Sequence, residues 1–93
     1  MGELLGEDEI DALLRDLPGW EREGDAVVKA FDRGDFAGSV EFVRRVAEPA
    51  EAMGHHPDLS ISWSEVRVSL STHSQGGLTA RDFELARRID QLA

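Results

Sequence analysis

Three histidines, His55, His56 and His73, are the residues of this chain best suited to chemistry. An imidazole exchanges protons near neutrality because its unperturbed pKa is about 6.5. One well-placed acid or base contributes roughly 10²–10⁴-fold in rate. Two imidazoles flanking a flat ring could protonate a departing hydroxyl and accept a proton elsewhere, which is what a dehydration needs. No nucleophile is required. Glu51 precedes His55 by one helical turn and would be its neighbour if the helix persists, able to orient an imidazole or bind a substrate amino group. Ser71 and Thr72 precede His73 and offer hydroxyls. Three imidazoles plus water could also hold zinc, but adjacent ligands that point apart make poor geometry, so no metal is expected.

These side chains must be positioned by a small set of elements. Pro57 pushes His56 toward an extended backbone, so His55 and His56 should face opposite ways and take different roles. Upstream, Phe36, Val40, Val43, Val46, Ala47 and Ala50 form the apolar stripe of a helix, with Gly54 as a left-handed terminal cap. Pro49 lies inside that helix and predicts a kink near 45–49. Downstream, Leu59, Ile61 and Trp63 alternate, as do Val66, Val68 and Leu70, giving a hairpin that turns near Ser64. That turn brings His73 back beside His56 and Pro57, at one rim of the sheet. Trp63 reads as core or interface.

The remaining segments complete an α+β fold. Ile10, Leu13, Leu14 and Leu17 predict a helix over about 7–17, with Glu7, Asp8 and Glu9 at its positive end and Pro18-Gly19 as the stop. The segments 20–23 and 26–31 read as a hairpin turning at Gly24-Asp25. After the turn at Gly76-Gly77, Thr79 and Asp82 are spaced as the capping box of a last helix, which is a sufficient structural reason for the aspartate. The order helix-hairpin-helix-hairpin-helix implies a four-stranded antiparallel sheet with three helices on one face, in a single domain over 1–93.

Composition narrows the function classes. The chain has 93 residues and a formal charge of −9, a surface that repels phosphate backbones, so no direct nucleic-acid contact is expected. It has no cysteine, which removes disulfides, thiolate metal sites and cysteine nucleophiles. No window approaches the ~18 apolar residues of a membrane span, and the N-terminus has no secretory pattern, so a cytoplasmic protein without a membrane partner is expected. A domain this small buries only about 60% of its unfolded surface, which favours self-association.

The segment Glu51-Ala-Met-Gly54-His55-His56-Pro57-Asp58, with Trp63, Ser71-Thr72-His73 and Gly76-Gly77-Leu78-Thr79-Ala-Arg-Asp82, resembles the pterin-4a-carbinolamine dehydratases. That family also includes the dimerisation cofactor of a homeodomain transcription factor. The likeness extends upstream through Leu17-Pro18-Gly19-Trp20 and the Phe36 helix, and so covers nearly the whole chain. It implies a homodimer or homotetramer with sheets joined across the interface, a pterin substrate, and no cofactor. It implies that His56 and His73 exchange protons, with His55 as the third active-site histidine, and that His55 and Glu51 hold and orient the ring. Gly54, Ser71, Thr72 and Ser74 would line the pterin site. The product would be a quinonoid dihydropterin that a reductase recycles for aromatic amino acid hydroxylation. Leu59 stands where many members carry an aromatic, and Ser74 where many carry an acid. The alternatives are a protein-dimerising coactivator with the same fold, favoured by exposed apolar residues on a helix face away from the sheet, and a related activity on molybdopterin-type compounds.

Overall fold

A computed structural model of the chain describes residues 3–93. Its first helix, α1 (Glu7–Arg15), has Glu7, Asp8 and Glu9 in the first turn, where acidic groups offset the free backbone N–H dipoles. The Glu9 carboxylate accepts the Gly6 N–H at 2.9 Å. The helix stops two residues short of the predicted Leu17. Asp16 and Leu17 instead close a turn by donating to the carbonyls of Leu13 and Leu14. The Arg22 guanidinium bonds Glu7 and holds its carboxyl below the usual carboxylate range, tying α1 to the first strand.

Strands β1 (Glu21–Glu23) and β2 (Ala26–Asp32) form the first hairpin, and β3 (Asp58–Ser62) and β4 (Glu65–Leu70) the second. The sheet order is β1-β2-β4-β3, with every neighbour antiparallel. Alternation sends Val27 and Phe31 of β2, and Val66, Val68 and Leu70 of β4, to one face. There they meet Ile10 of α1, Phe42 and Val46 of α2 (Phe36–Met53), and Phe83, Leu85 and Ile89 of α3 (Ala80–Leu92). The α+β order expected from the sequence is the order found. Asp90 of α3 accepts from Trp20 Nε1 at 3.1 Å and from Lys29 Nζ at 2.9 Å, fastening the first hairpin to the last helix.

Two local features bear on the expectations from the sequence. The α2 helix continues unbroken through Pro49, which is half-buried. The carbonyl that loses its partner belongs to Arg45, an exposed position where water can replace the missing donor. Trp63 is not core. It leaves the β3 alternation, takes a left-handed backbone (φ 53°) at the hairpin turn and is 72% exposed. Its carbonyl accepts the Ser39 hydroxyl of α2 at 2.7 Å, a contact that helps hold a conformation rare for a bulky residue.

Candidate active site

The site is built where α2 ends, β3 begins and β4 runs into α3. Gly54 closes α2 in the left-handed conformation (φ 62°), which a glycine adopts without steric penalty. The chain therefore leaves the helix at His55, whose N–H still reaches the Ala50 carbonyl at 3.0 Å. Pro57 then leads into β3.

His55 and His56 part company as the extended backbone requires. His55 turns inward, with 7% of its surface exposed, and its Nε2 lies 2.5 Å from Oδ1 of Asp82. Asp82 is fully buried in the first turn of α3. Its other oxygen accepts the Thr79 N–H at 2.9 Å and the Thr72 hydroxyl at 2.8 Å, and the hydroxyls of Thr72 and Thr79 are 2.8 Å apart. His56 turns outward and is exposed. Its Nε2 lies 2.8 Å from Oε2 of Glu51.

Glu51 therefore does not face His55, as one turn of helix would place it. The left-handed cap at Gly54 takes His55 off the helix surface and brings the next imidazole over the Glu51 carboxylate.

His73 opens a single 3-10 turn, His73–Gln75, directly after β4 and Thr72. The β3–β4 register sets Asp58 opposite Ser69, so the chain beyond β4 returns toward the residues that precede β3. His73 Nε2 lies 3.5 Å from Oδ2 of Asp58, close enough for an ion pair when the ring is protonated and too long for a good hydrogen bond. Both groups are exposed. His73 and His56 thus share one rim, with Asp58 two residues beyond His56.

Each imidazole is matched with its own carboxylate: His55 with Asp82, His56 with Glu51, His73 with Asp58. Such a pairing fixes the ring's direction, a property useful to a group that exchanges protons. The paired groups differ sharply in their contact with water.

The flanking residues divide as well. Thr72 is buried and belongs to the Asp82 network. Ser71 is half-buried, whereas Gly54 and Ser74 are exposed. Neither serine makes a side-chain hydrogen bond among the described residues. Asp58 as the partner of His73 escaped the sequence reading, although the predicted hairpin register could have exposed it. Asp82 is expected from the sequence as a capping-box residue and stands in the segment that carries the family resemblance. The structure keeps the cap and adds the bond to His55. Arg81, next to it, donates to the Met53 carbonyl at the end of α2. A separate concavity of about 330 Å³ lies among Glu23, Val28, Ala30 and Arg67, and none of the histidines lines it.

The pterin 4 alpha carbinolamine dehydratase family model matches residues 3–92. A protein of Thermosynechococcus vestitus with the provisional name pterin-4-alpha-carbinolamine dehydratase is 50% identical over 93 residues, covering 100% of this chain and 98% of its own. A Nocardia farcinica protein with the same provisional name is 50% identical over 91 residues, covering 98% and 96%. Among solved structures, a transcriptional coactivator/pterin dehydratase from Brucella melitensis superposes with a TM-score of 0.93 at 33% identity, covering 98% of this chain and 99% of that one. A pterin dehydratase-like protein identified as a RuBisCO assembly factor in the alpha-carboxysome shares the fold, with a TM-score of 0.64 at 24% identity over 80% of this chain and 86% of its own.

Proposed function

Because the chain belongs to the pterin 4 alpha carbinolamine dehydratase family, we propose that it removes water from a 4a-hydroxytetrahydropterin by histidine acid–base catalysis, giving a quinonoid dihydropterin for reductive recycling of tetrahydrobiopterin. The observation that carries this reading is the set of three imidazole–carboxylate pairs on the segments that meet at one rim.

The exposed pair, His56 and His73, exchanges protons with the substrate. One ring, as imidazolium, protonates the 4a-hydroxyl, and the carbon–oxygen bond breaks with its electron pair leaving on oxygen as water. The other, as neutral imidazole, takes a proton from a ring N–H, whose electrons complete the new double bond. Each then carries the other's starting protonation state, and transfer through solvent resets them. Solvent access at both rings suits that reset. Glu51 and Asp58 orient the two rings. His55, held from behind, orients the heterocycle together with the backbone around Gly54 and the segment 71–74.

A direct dehydration assay on chemically generated 4a-carbinolamine, run with and without a chelator, tests the reading. Turnover that survives chelation supports it. Turnover that requires added zinc overturns the acid–base scheme, and no acceleration over the uncatalysed rate overturns the activity.

A second reading has its own observation. Phe36 and Val40 of α2 and Trp63 at the hairpin turn are exposed, and the Ser39–Trp63 bond places the turn against that part of the helix. An apolar face of this kind fits self-association into a homodimer or homotetramer, and also the dimerising-coactivator alternative. Sedimentation of the wild type and of Phe36→Asp separates assembly from catalysis. A monomer with full turnover would show that the two are independent.

A further inference from the structure

The two histidine-bearing segments share one buried anchor, Asp82. Thr79 N–H can only donate, so Oδ2 of Asp82 is an acceptor, and the Thr72 hydroxyl donates to the same oxygen. With its proton committed to Asp82, Thr72 receives the Thr79 hydroxyl proton, and the chain of bonds has one direction: Thr79 to Thr72 to Asp82. The remaining oxygen, Oδ1, faces Nε2 of His55. An ionised carboxylate there is acceptor-only, so Nε2 must carry the proton. In the neutral ring Nδ1 then holds the free lone pair. Arg33 Nε is the buried side-chain nitrogen without a partner among the described residues. His55 Nδ1 makes no hydrogen bond among the described residues.

The same network fixes the segment that carries His73. Thr72 N–H donates to the Gly77 carbonyl at 2.8 Å, and the Thr72 carbonyl accepts from Gln75 at 2.9 Å and from Gly76 at 3.0 Å. The neighbouring Arg81 holds the Met53 carbonyl on the other side. One helical turn of α3 thus grips both segments.

Resting on the dehydratase reading, we infer that Asp82, with Thr72, is a positioning residue: it locks His55 in the Nε2–H tautomer, with Nδ1 as the acceptor presented to a ring N–H of the pterin, and it sets the start of the His73 turn. Helix capping alone would need only the Thr79 bond.

Nitrogen-15 NMR of the histidines in the full chain reads the tautomer without substrate. In the wild type, the neutral His55 ring is expected with Nε2 protonated and Nδ1 bare. Asp82→Asn cannot accept from Thr79, Thr72 and His55 together. With its oxygen kept by Thr79, its amide N–H meets the ring and turns His55 to the Nδ1–H form. The expected kinetic effect is a fall in kcat of about 10²-fold with KM within about threefold. Thr72→Val should lower kcat about tenfold and Thr72→Ser restore it, because only the hydroxyl is at issue.

A wild-type His55 protonated on Nδ1 overturns the inference, as does an Asp82→Asn protein that keeps both tautomer and kcat. Should Asp82→Asn fail to fold, the wild-type tautomer and the Thr72 pair still decide. Wild-type turnover with an indifferent Asp82→Asn would remove the anchor and leave the dehydratase reading intact. The expected tautomers without any turnover would do the reverse.

Discussion

His55 and His56 are separated by one peptide bond, yet their surroundings have almost nothing in common. His55 has 7% of its surface exposed and faces a fully buried carboxylate that two other donors also use. His56 is exposed and meets one solvated carboxylate. A buried polar group must be satisfied completely, because each unmet partner costs about 1–3 kcal/mol. An exposed one can lose its partner to water at little cost. The same residue type is therefore held rigidly on one side of the backbone and left within reach of solvent on the other.

The contrast makes its largest prediction at Asp82. Asp82→Ala would leave the His55 ring, the Thr72 hydroxyl and the Thr79 N–H without their acceptor. The expected loss of stability is about 3 kcal/mol or more, a large share of the roughly 5–15 kcal/mol available to such a domain. Urea unfolding followed by Trp20 fluorescence measures it. A loss under about 1 kcal/mol would mean that water enters and replaces the carboxylate, so that the interior is less closed than its burial implies.

The outward side should behave in the opposite way. His56→Ala and His73→Ala are each expected to lower dehydratase turnover about 10²-fold or more. Both should leave the unfolding midpoint nearly unchanged, since exposed substitutions usually stay within about 0.5 kcal/mol. A catalytic loss accompanied by an equal loss of stability would place these rings with the scaffold. Wild-type turnover in both variants would remove them from the mechanism.

The inward and outward assignment itself was legible in the sequence. Pro57 imposes extension at His56, and extension separates neighbouring side chains. Gly54 was recognisable as a left-handed cap, and the hairpin turn at Ser64 correctly returned His73 to the rim. What stayed hidden depends on tertiary distance. Asp82 carries a complete local explanation as the third residue of a capping box, and nothing local reveals a second partner 27 residues away. The Glu51 pairing failed for a related reason. Helical spacing was extended one residue past the cap that ends it. Trp63 kept the alternation of its strand in sequence but not in space, because a two-residue turn falls on it.

The smallest expected effects lie in the carboxylates that serve the exposed rings, and they discriminate finely. Glu51 sits 2.8 Å from His56, whereas Asp58 is 3.5 Å from His73. Removing the charge with Glu51→Gln keeps a hydrogen-bonding side chain but removes the Coulombic attraction between the pair. Asp58→Asn does the same at the longer distance. In water-exposed pairs the attraction is weak and screened by salt, so each change should cost only about threefold to tenfold in turnover. The shorter contact should cost more, and the gap between the two variants should narrow as salt is raised. A steady-state comparison at low and high ionic strength measures this. If Asp58→Asn were the more damaging change at every salt concentration, the carboxylate beside His73 would be acting on the substrate itself rather than through its histidine.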